Sequence, residues 1–240
     1  MSHTLLISDL HLTPDRPRAS ELFFDFVSRI APRAESLYIL GDLFEYWIGD
    51  DDLQDEFNAA IADALGSLSG KGVALRYMHG NRDVLAGRAF VERCGARLID
   101  DPTLLDLHGA RTLLMHGDTL CTGDLDYQKF RAYAHDPENQ RKFLAQPLQE
   151  RKKQMLGMRA ESEKSKQVKI SEIMDVAPAA VDRALREHGY PRLIHGHTHR
   201  PAQHAHVVDG HTCERWVLTD WYGRGGYLRC DDAGCTAVAM

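Results

Sequence analysis

Thr4-Leu5-Leu6-Ile7-Ser8-Asp9-Leu10-His11 decides how this chain is read. A short apolar run turns abruptly into a carboxylate and an imidazole two residues apart. The run has the length of a strand buried on both faces. In extended chain, Asp9 and His11 lie on the same side. The same grammar recurs four times downstream. Residues 37–40 lead into Gly41-Asp42, 73–78 into Gly80-Asn81-Arg82-Asp83, 112–115 into His116-Gly117-Asp118, and 192–194 into Gly196-His197-Thr198-His199.

Helical patterns separate these runs. Leu22, Phe23, Phe26, Val27 and Ile30 mark one apolar face, stopped by Pro32. Phe57, Ile61, Leu65 and Leu68 mark a second, ending at Gly70, and Pro178 opens a third that passes Val181 and Leu185 and stops at Gly189. Strand–helix alternation predicts an α/β fold with a largely parallel central sheet. After His199 the rhythm changes to short strands over 204–208, 216–219, 227–230 and 236–239, joined by glycine turns. They are expected to form a second, antiparallel layer, giving a β-sandwich flanked by helices.

Residues 122–176 contain no convincing strand. Leu125, Phe130, Tyr133, Phe143 and Leu156 are spread through polar, helix-favouring sequence, which reads as a helical cap inserted in a single domain over 1–240. Residues 141–169 hold nine Lys/Arg against three Asp/Glu, a local balance of +6, so the remainder of the chain carries −12 of the net −6.

A chain of 240 residues with 43 % hydrophobic content suits one domain with a full core. No apolar run reaches the length of a membrane-spanning helix. The opening residues lack a basic region followed by a long apolar stretch, so no secretory signal is expected. The five cysteines are scattered, with no Cys-x-x-Cys, and are expected to be reduced thiols of a cytosolic protein. The net charge of −6 argues against a nucleic-acid partner.

In open α/β sheets, ligands bind beyond the carboxyl ends of the strands. Asp9, His11, Asp42, Asn81, His116, His197 and His199 all fall there, and they form a set of seven candidate metal ligands. Asp-x-His or Gly-Asp after one strand is ordinarily just a turn. Five such motifs in order are not. Carboxylate, carboxamide and imidazole donors suit Mn²⁺, Fe or Zn²⁺, and two such ions can grip a phosphoryl group and activate water. The glycines before Asp42, Asn81 and His197 would allow close backbone approach.

The ordered motifs resemble the calcineurin-like metallophosphoesterases over essentially residues 4–200. The resemblance implies a four-layer α/β/β/α sandwich. It also implies that Asp9, His11, Asp42 and His199 hold one ion, with Asp42 bridging to a second held by Asn81, His116 and His197. Asp83 and Asp118 would orient these ligands. One motif departs from the pattern: the superfamily commonly has Gly-Asn-His, where Gly80-Asn81-Arg82 stands here. Arginine stays protonated and is a poor proton donor, but it binds phosphate oxygens well. A leaving group that needs little protonation is therefore expected. A phosphate monoester, with a second pKa of about 6, qualifies. Arg82 so points toward a pyrophosphate bond, unless it serves only as an ion pair with Asp83.

A closer resemblance rests on 8–12, 41–50, 80–83, 116–124, 159–162, 173–176 and 194–201. These are similar to the bacterial UDP-2,3-diacylglucosamine hydrolases of lipid A biosynthesis. That branch implies attack of water on the α-phosphorus, giving UMP and 2,3-diacylglucosamine 1-phosphate, with two divalent ions, usually Mn²⁺. It implies catalytic roles for Asp42, Asn81, Arg82 and His197. Substrate contacts would be Asn81, Arg82, Asp124, Ser162, Lys166, Lys169 and His197, although relatives carry Asn at the position of Lys166. The implied partners are the UDP-diacylglucosamine lipid and an anionic membrane surface met by the basic cap, at the cytoplasmic face of the inner membrane. A monomer is expected. Two alternatives stay open: another metallophosphoesterase acting on a nucleotide diphosphate or phosphodiester, and a non-catalytic module that retains the fold.

Overall fold

The computed structural model describes residues 2–168 and 175–240, with the backbone alone for 159–168. Among the described residues, eleven strands form two sheets. The first is built from β1 (Thr4–Ile7), β2 (Ser36–Leu40), β3 (Ala74–Met78) and β4 (Ala96–Leu98), which pair in parallel in that order. The second holds β5 (Thr103–Leu107), β6 (Ala110–Met115), β7 (Arg192–His195), β8 (Ala202–Val208) and β9 (His211–Val217), in the order β5-β6-β7-β9-β8. The last hairpin, β10 (Gly226–Asp231) and β11 (Gly234–Ala239), returns to the first sheet and pairs antiparallel beside β1.

The helices cover the outer faces. α1 (Pro17–Asp25), α2 (Glu56–Gly70) and α3 (Arg88–Cys94) pack on the first sheet, through Phe23, Ile61, Leu65 and Phe90 against Leu5, Ile7, Ile39 and Tyr77. Asp55 caps α2 by accepting hydrogen bonds from the amides of Phe57 and Asn58. Between β6 and β7 run α4 (Leu125–His135), α5 (Pro137–Leu144), α6 (Leu148–Val168) and α7 (Pro178–Glu187). α7 packs Val181 and Leu185 on Leu113 and Leu193 of the second sheet. Leu6, Leu40 and Met78 point the other way, onto Leu114 and Ile194, and fill the layer between the sheets. Each such fully buried side chain is worth about 1.5–3 kcal/mol. The four layers are therefore helix, sheet, sheet, helix, the architecture the resemblance implied.

Three sequence expectations need correction. The second sheet is not an antiparallel C-terminal layer. It is mixed, and its core strands β6, β7 and β9 run parallel. The last two strands extend the first sheet instead of joining the second. Cys230 and Cys235 are direct partners across the β10–β11 hairpin, with Cα atoms 4.1 Å apart, and form a disulfide. Cys94, Cys121 and Cys213 stay outside disulfides.

Helices α4 and α6 reach both sheets. From α4, the Tyr127 hydroxyl and Arg131 Nε each donate to Asp118, both at 2.7 Å, just beyond β6. From α6, the buried Arg151 donates to the Ile48 carbonyl and the Asp51 carboxylate, and Lys152 reaches Asp52 at 3.1 Å. These last contacts lie in the connection after β2. Neither α4 nor α5 buries a residue. Leu125, Phe130, Tyr133, Leu144, Leu156 and Met158 all remain more than a third exposed.

Candidate metal centre

All five motifs lie at carboxyl ends of strands in the core of the two sheets. Asp9, His11, Asp42 and Asn81 come from the first sheet. His116, His197 and His199 come from the second. The side chains converge. Asp42 lies 3.7 Å from His11 Nε2 through one oxygen and 3.9 Å from His116 Nε2 through the other. His199 Nε2 is 3.5 Å from Asp9 and 3.2 Å from His11 Nε2. Asn81 Oδ1 stands 3.0 Å from His197 Nδ1 and 3.2 Å from His116 Nε2. Two triplets, Asp9–His11–His199 and Asp9–Asp42–His116, hold their ligand atoms within 4.8 Å of one another, and each triplet draws on both sheets.

The residues fit a divalent ion pair on physical grounds. Asp9 and Asp42 are buried, and among the described residues only histidines come within ion-pair distance of either. An isolated buried carboxylate is costly unless a cation meets it. Asp9 Oδ2 accepts from Ser8 Oγ and from the His197 amide, but its Oδ1 is buried with no hydrogen-bond partner. The electrostatics show the same demand. Burial lifts the Asp42 carboxyl to about 7, with the Asp83 and Asp9 carboxylates adding to it against the pull of His116. Burial opposes charge on His116, but Asp42, Asp118 and Asp9 outweigh it and raise that imidazole to about 9. Burial, reinforced by His116, pushes His197 down to about 3 and keeps it neutral.

The backbone carries strain at the ligands themselves. Asp9, His11, Asp42, His197 and His199 all have positive φ, between 49° and 69°. Asp and His tolerate this region better than most residues, yet such placements cost of order 1–3 kcal/mol each and cluster at functional sites. The turns are held by exact-fit contacts rather than by propensity. A Cβ on Gly80 would lie 2.2 Å from Asp42 Oδ1 and 2.4 Å from the Asp42 nitrogen. One on Gly196 would lie 2.3 Å from Asp9 Oδ2. Asp83 is buried and accepts from the amides of Asp42, Leu43 and Gly80, at 3.2, 2.7 and 2.8 Å. It ties the second motif to the third. The ion pair Arg82–Asp83 does not form; the Arg82 guanidinium approaches Glu45 instead, at 4.0 Å. His116 Nδ1 donates to the Leu40 carbonyl at 2.9 Å, which leaves Nε2 facing the site.

Several neighbours escaped the sequence reading. Glu45 is buried 3.7 Å from His11 Nδ1 and accepts from Arg16. A single acid inside the apolar stretch 43–48 was the signal available. Tyr222 stacks on His11 with ring centroids 5.0 Å apart, and the Arg16 guanidinium lies 4.4 Å from the Tyr222 ring centre. Tyr127 sits 5.5 Å from the His197 ring. No pattern announces an aromatic from a remote loop. Asp124 caps α4 by accepting from the Tyr127 amide at 3.1 Å. Ser162 and Lys166 fall on α6 where the side chains lie outside the described residues, and Lys169 lies outside them altogether.

Asp101 gives a test of the buried electrostatics. Burial, with the nearby Asp118 carboxylate, raises its pKa to about 6. The unfolded chain therefore loses this proton first as pH rises. Stability is present at low pH and is lost between the ordinary carboxylate range and pH 6. Asp101→Asn should raise the melting temperature at pH 8 and leave it nearly unchanged at pH 4, by roughly 2–4 °C for each kcal/mol gained. Equal shifts at both pH values in thermal denaturation would refute the assignment.

Residues 2–201 match the family model of the calcineurin-like phosphoesterases, and the chain belongs to that family. Within it, the chain is 54 % identical over 230 residues to the UDP-2,3-diacylglucosamine hydrolase of Aromatoleum aromaticum, covering 96 % of this chain and 94 % of the relative. It is 50 % identical to the protein of the same name from Chromohalobacter salexigens, covering 95 % and 93 %. Among solved structures, an archaeal phosphodiesterase aligns with a TM-score of 0.48 at 11 % identity, over 99 % of both chains.

Proposed function

We propose that the protein hydrolyses the pyrophosphate bond of UDP-2,3-diacylglucosamine, giving UMP and 2,3-diacylglucosamine 1-phosphate. The observation that carries this reading is the convergence of seven Asp, His and Asn side chains at one end of the sandwich, in a chain about half identical to enzymes of that name over nearly its full length. The donor set suits two divalent ions, and Mn²⁺ is the ion we assign.

When bound, the two ions lower the pKa of a water and polarise the phosphoryl oxygens. The chain's own residues do the remainder. Asp42, with an oxygen toward each triplet, spaces the two halves of the centre. Asn81 joins His116 and His197 through one carbonyl oxygen. Arg82 holds a permanent charge beside the centre, positioned by Glu45, and offers a planar fork to equatorial phosphate oxygens. His197, kept neutral by burial, can donate a hydrogen bond to the same oxygens as charge builds. No acid is needed at the leaving group, because a sugar 1-phosphate departs as a stable anion.

Helices α4 to α6 supply the surface for the lipid. Exposed Leu125, Phe130, Leu156 and Met158 offer apolar contact for acyl chains, and the surplus of Lys/Arg favours the diphosphate and an anionic membrane face. We assign Asp124, Ser162, Lys166 and Lys169 to substrate contact. The protein would act as a monomer held peripherally at the cytoplasmic face of the inner membrane.

Hydrolysis of UDP-2,3-diacylglucosamine with Mn²⁺ in ¹⁸O-labelled water tests the reading. Label found in UMP by mass spectrometry is the expected result and places attack on the α-phosphorus. Label in the lipid phosphate would reverse the site of attack. No turnover by folded, metal-loaded protein would refute the substrate and favour another nucleotide diphosphate or phosphodiester.

A further inference from the structure

The motif Gly196-His197-Thr198-His199 follows a histidine that the chemistry above does not use. His195 is fully buried at the end of β7, behind the centre. Its Nε2 faces Nη1 of Arg215 at 3.1 Å, and its Nδ1 lies 2.8 Å from the Gly196 carbonyl oxygen. Arginine has donors only. His195 Nε2 must therefore accept, which puts the ring proton on Nδ1, and Nδ1 donates to the Gly196 carbonyl. Arg215 is itself buried, on β9, and its Nε donates to His206 Nε2 at 3.0 Å. No carboxylate lies within ion-pair distance of it among the described residues. A buried guanidinium spent on two neutral imidazoles calls for a reason, since burying a charge is expensive.

The Gly196 peptide supplies one. Its nitrogen donates to the His116 carbonyl at 2.8 Å, and its oxygen accepts from both His195 Nδ1 and the Thr198 amide. The next amide, that of His197, donates to Asp9. A Cβ on Gly117 would stand 2.8 Å from His195 Nδ1, so the ring also packs directly on the His116 motif. His197 and His199 both follow in strained, positive-φ backbone. Something must hold that turn against relaxation, and the Gly196 carbonyl is where the His195 side chain takes hold of it.

We infer that Arg215 and His195 are positioning residues: the guanidinium fixes the His195 tautomer, and the imidazole then pins the Gly196 carbonyl so that His197 and His199 are delivered to the metal centre. This rests on the reading of His197 and His199 as metal ligands. Residues behind metal ligands typically cost ten- to a hundredfold in metal affinity or activity when removed.

The test is Mn²⁺ binding to the metal-free full chain by titration calorimetry, alongside thermal denaturation without metal. His195→Gln keeps one donor and one acceptor, and its affinity should stay within a few-fold of wild type. The paired change His195→Leu with Arg215→Leu removes both partners and strands no charge. It should lose roughly ten- to a hundredfold in Mn²⁺ affinity with its metal-free melting little changed. A folded double variant with wild-type Mn²⁺ affinity would overturn the inference, as would a folded His195→Gln that loses as much affinity as the double variant. Failure of the wild-type chain itself to bind Mn²⁺ would overturn the metal centre, and the positioning role with it.

Discussion

Asp42→Ala should lower kcat/KM on UDP-2,3-diacylglucosamine by three or more orders of magnitude while leaving the chain folded. The two oxygens of this carboxylate face different halves of the centre, one near His11 and one near His116. No other described side chain does this with both of its oxygens, so deletion cannot be covered by a neighbour. Metal ions supply several kcal/mol of stabilisation to a phosphoryl transition state. At about 1.4 kcal/mol per tenfold, forfeiting most of that gives ~10³ or more. Folding should survive, because the change also removes a buried carboxylate whose ionised form burial disfavours. Steady-state kinetics at saturating Mn²⁺ reads the effect. Turnover near the wild-type rate by the folded variant would end the two-ion reading.

Gly80→Ala should be almost as damaging, although it deletes no functional group. The new methyl would stand 2.4 Å from the Asp42 backbone nitrogen and 2.2 Å from its carboxylate oxygen. Backbone cannot swing aside as a flexible side chain can. The loops bearing Asp42 and Asn81 must part, and the Asp83 clamp across them must stretch. Overpacking of this kind costs typically 1–3 kcal/mol, and a misplaced centre should lose at least ten- to a hundredfold in Mn²⁺ affinity. Gly157→Ala is the control. It sits within α6 with nothing within 4 Å of the added carbon, so it should melt no lower than wild type. Equal Mn²⁺ affinity in the two variants would show that the close approach at Gly80 is not what sets the site.

The contrast between what sequence reveals and what it hides follows from how information is stored along the chain. β1, β2 and β3 are legible because they are short, mostly apolar and buried or half-buried throughout, with Arg76 the one charge among them. β4 is three residues long and β5 alternates exposed with half-buried positions, so neither stands out. Sheet membership is not written locally at all. A buried strand such as β6 reads the same in either sheet, and the return of β10 to the edge of β1 depends on the packing of everything between them. The disulfide is hidden for a similar reason: five residues of separation become a direct pair only once the hairpin register is known. The ligands are legible because each follows an apolar run. His195, Arg215, Glu45 and Tyr222 each meet side chains from distant segments, and only the folded chain brings those segments together.

Each half of the metal centre is completed across the seam between the two sheets. Bound ions would therefore act as rivets as well as reagents. Neither sheet owns a full set of ligands, so an unfolded or half-assembled chain has little hold on the metal, and the free energy of binding is returned to the assembled form. At a hundred times its dissociation constant, one ion adds about 2.7 kcal/mol, a large share of the roughly 5–15 kcal/mol that keeps a protein folded. A cell's supply of divalent metal would thus act on two quantities at once: how fast this protein turns over its substrate, and how long each copy survives to do so.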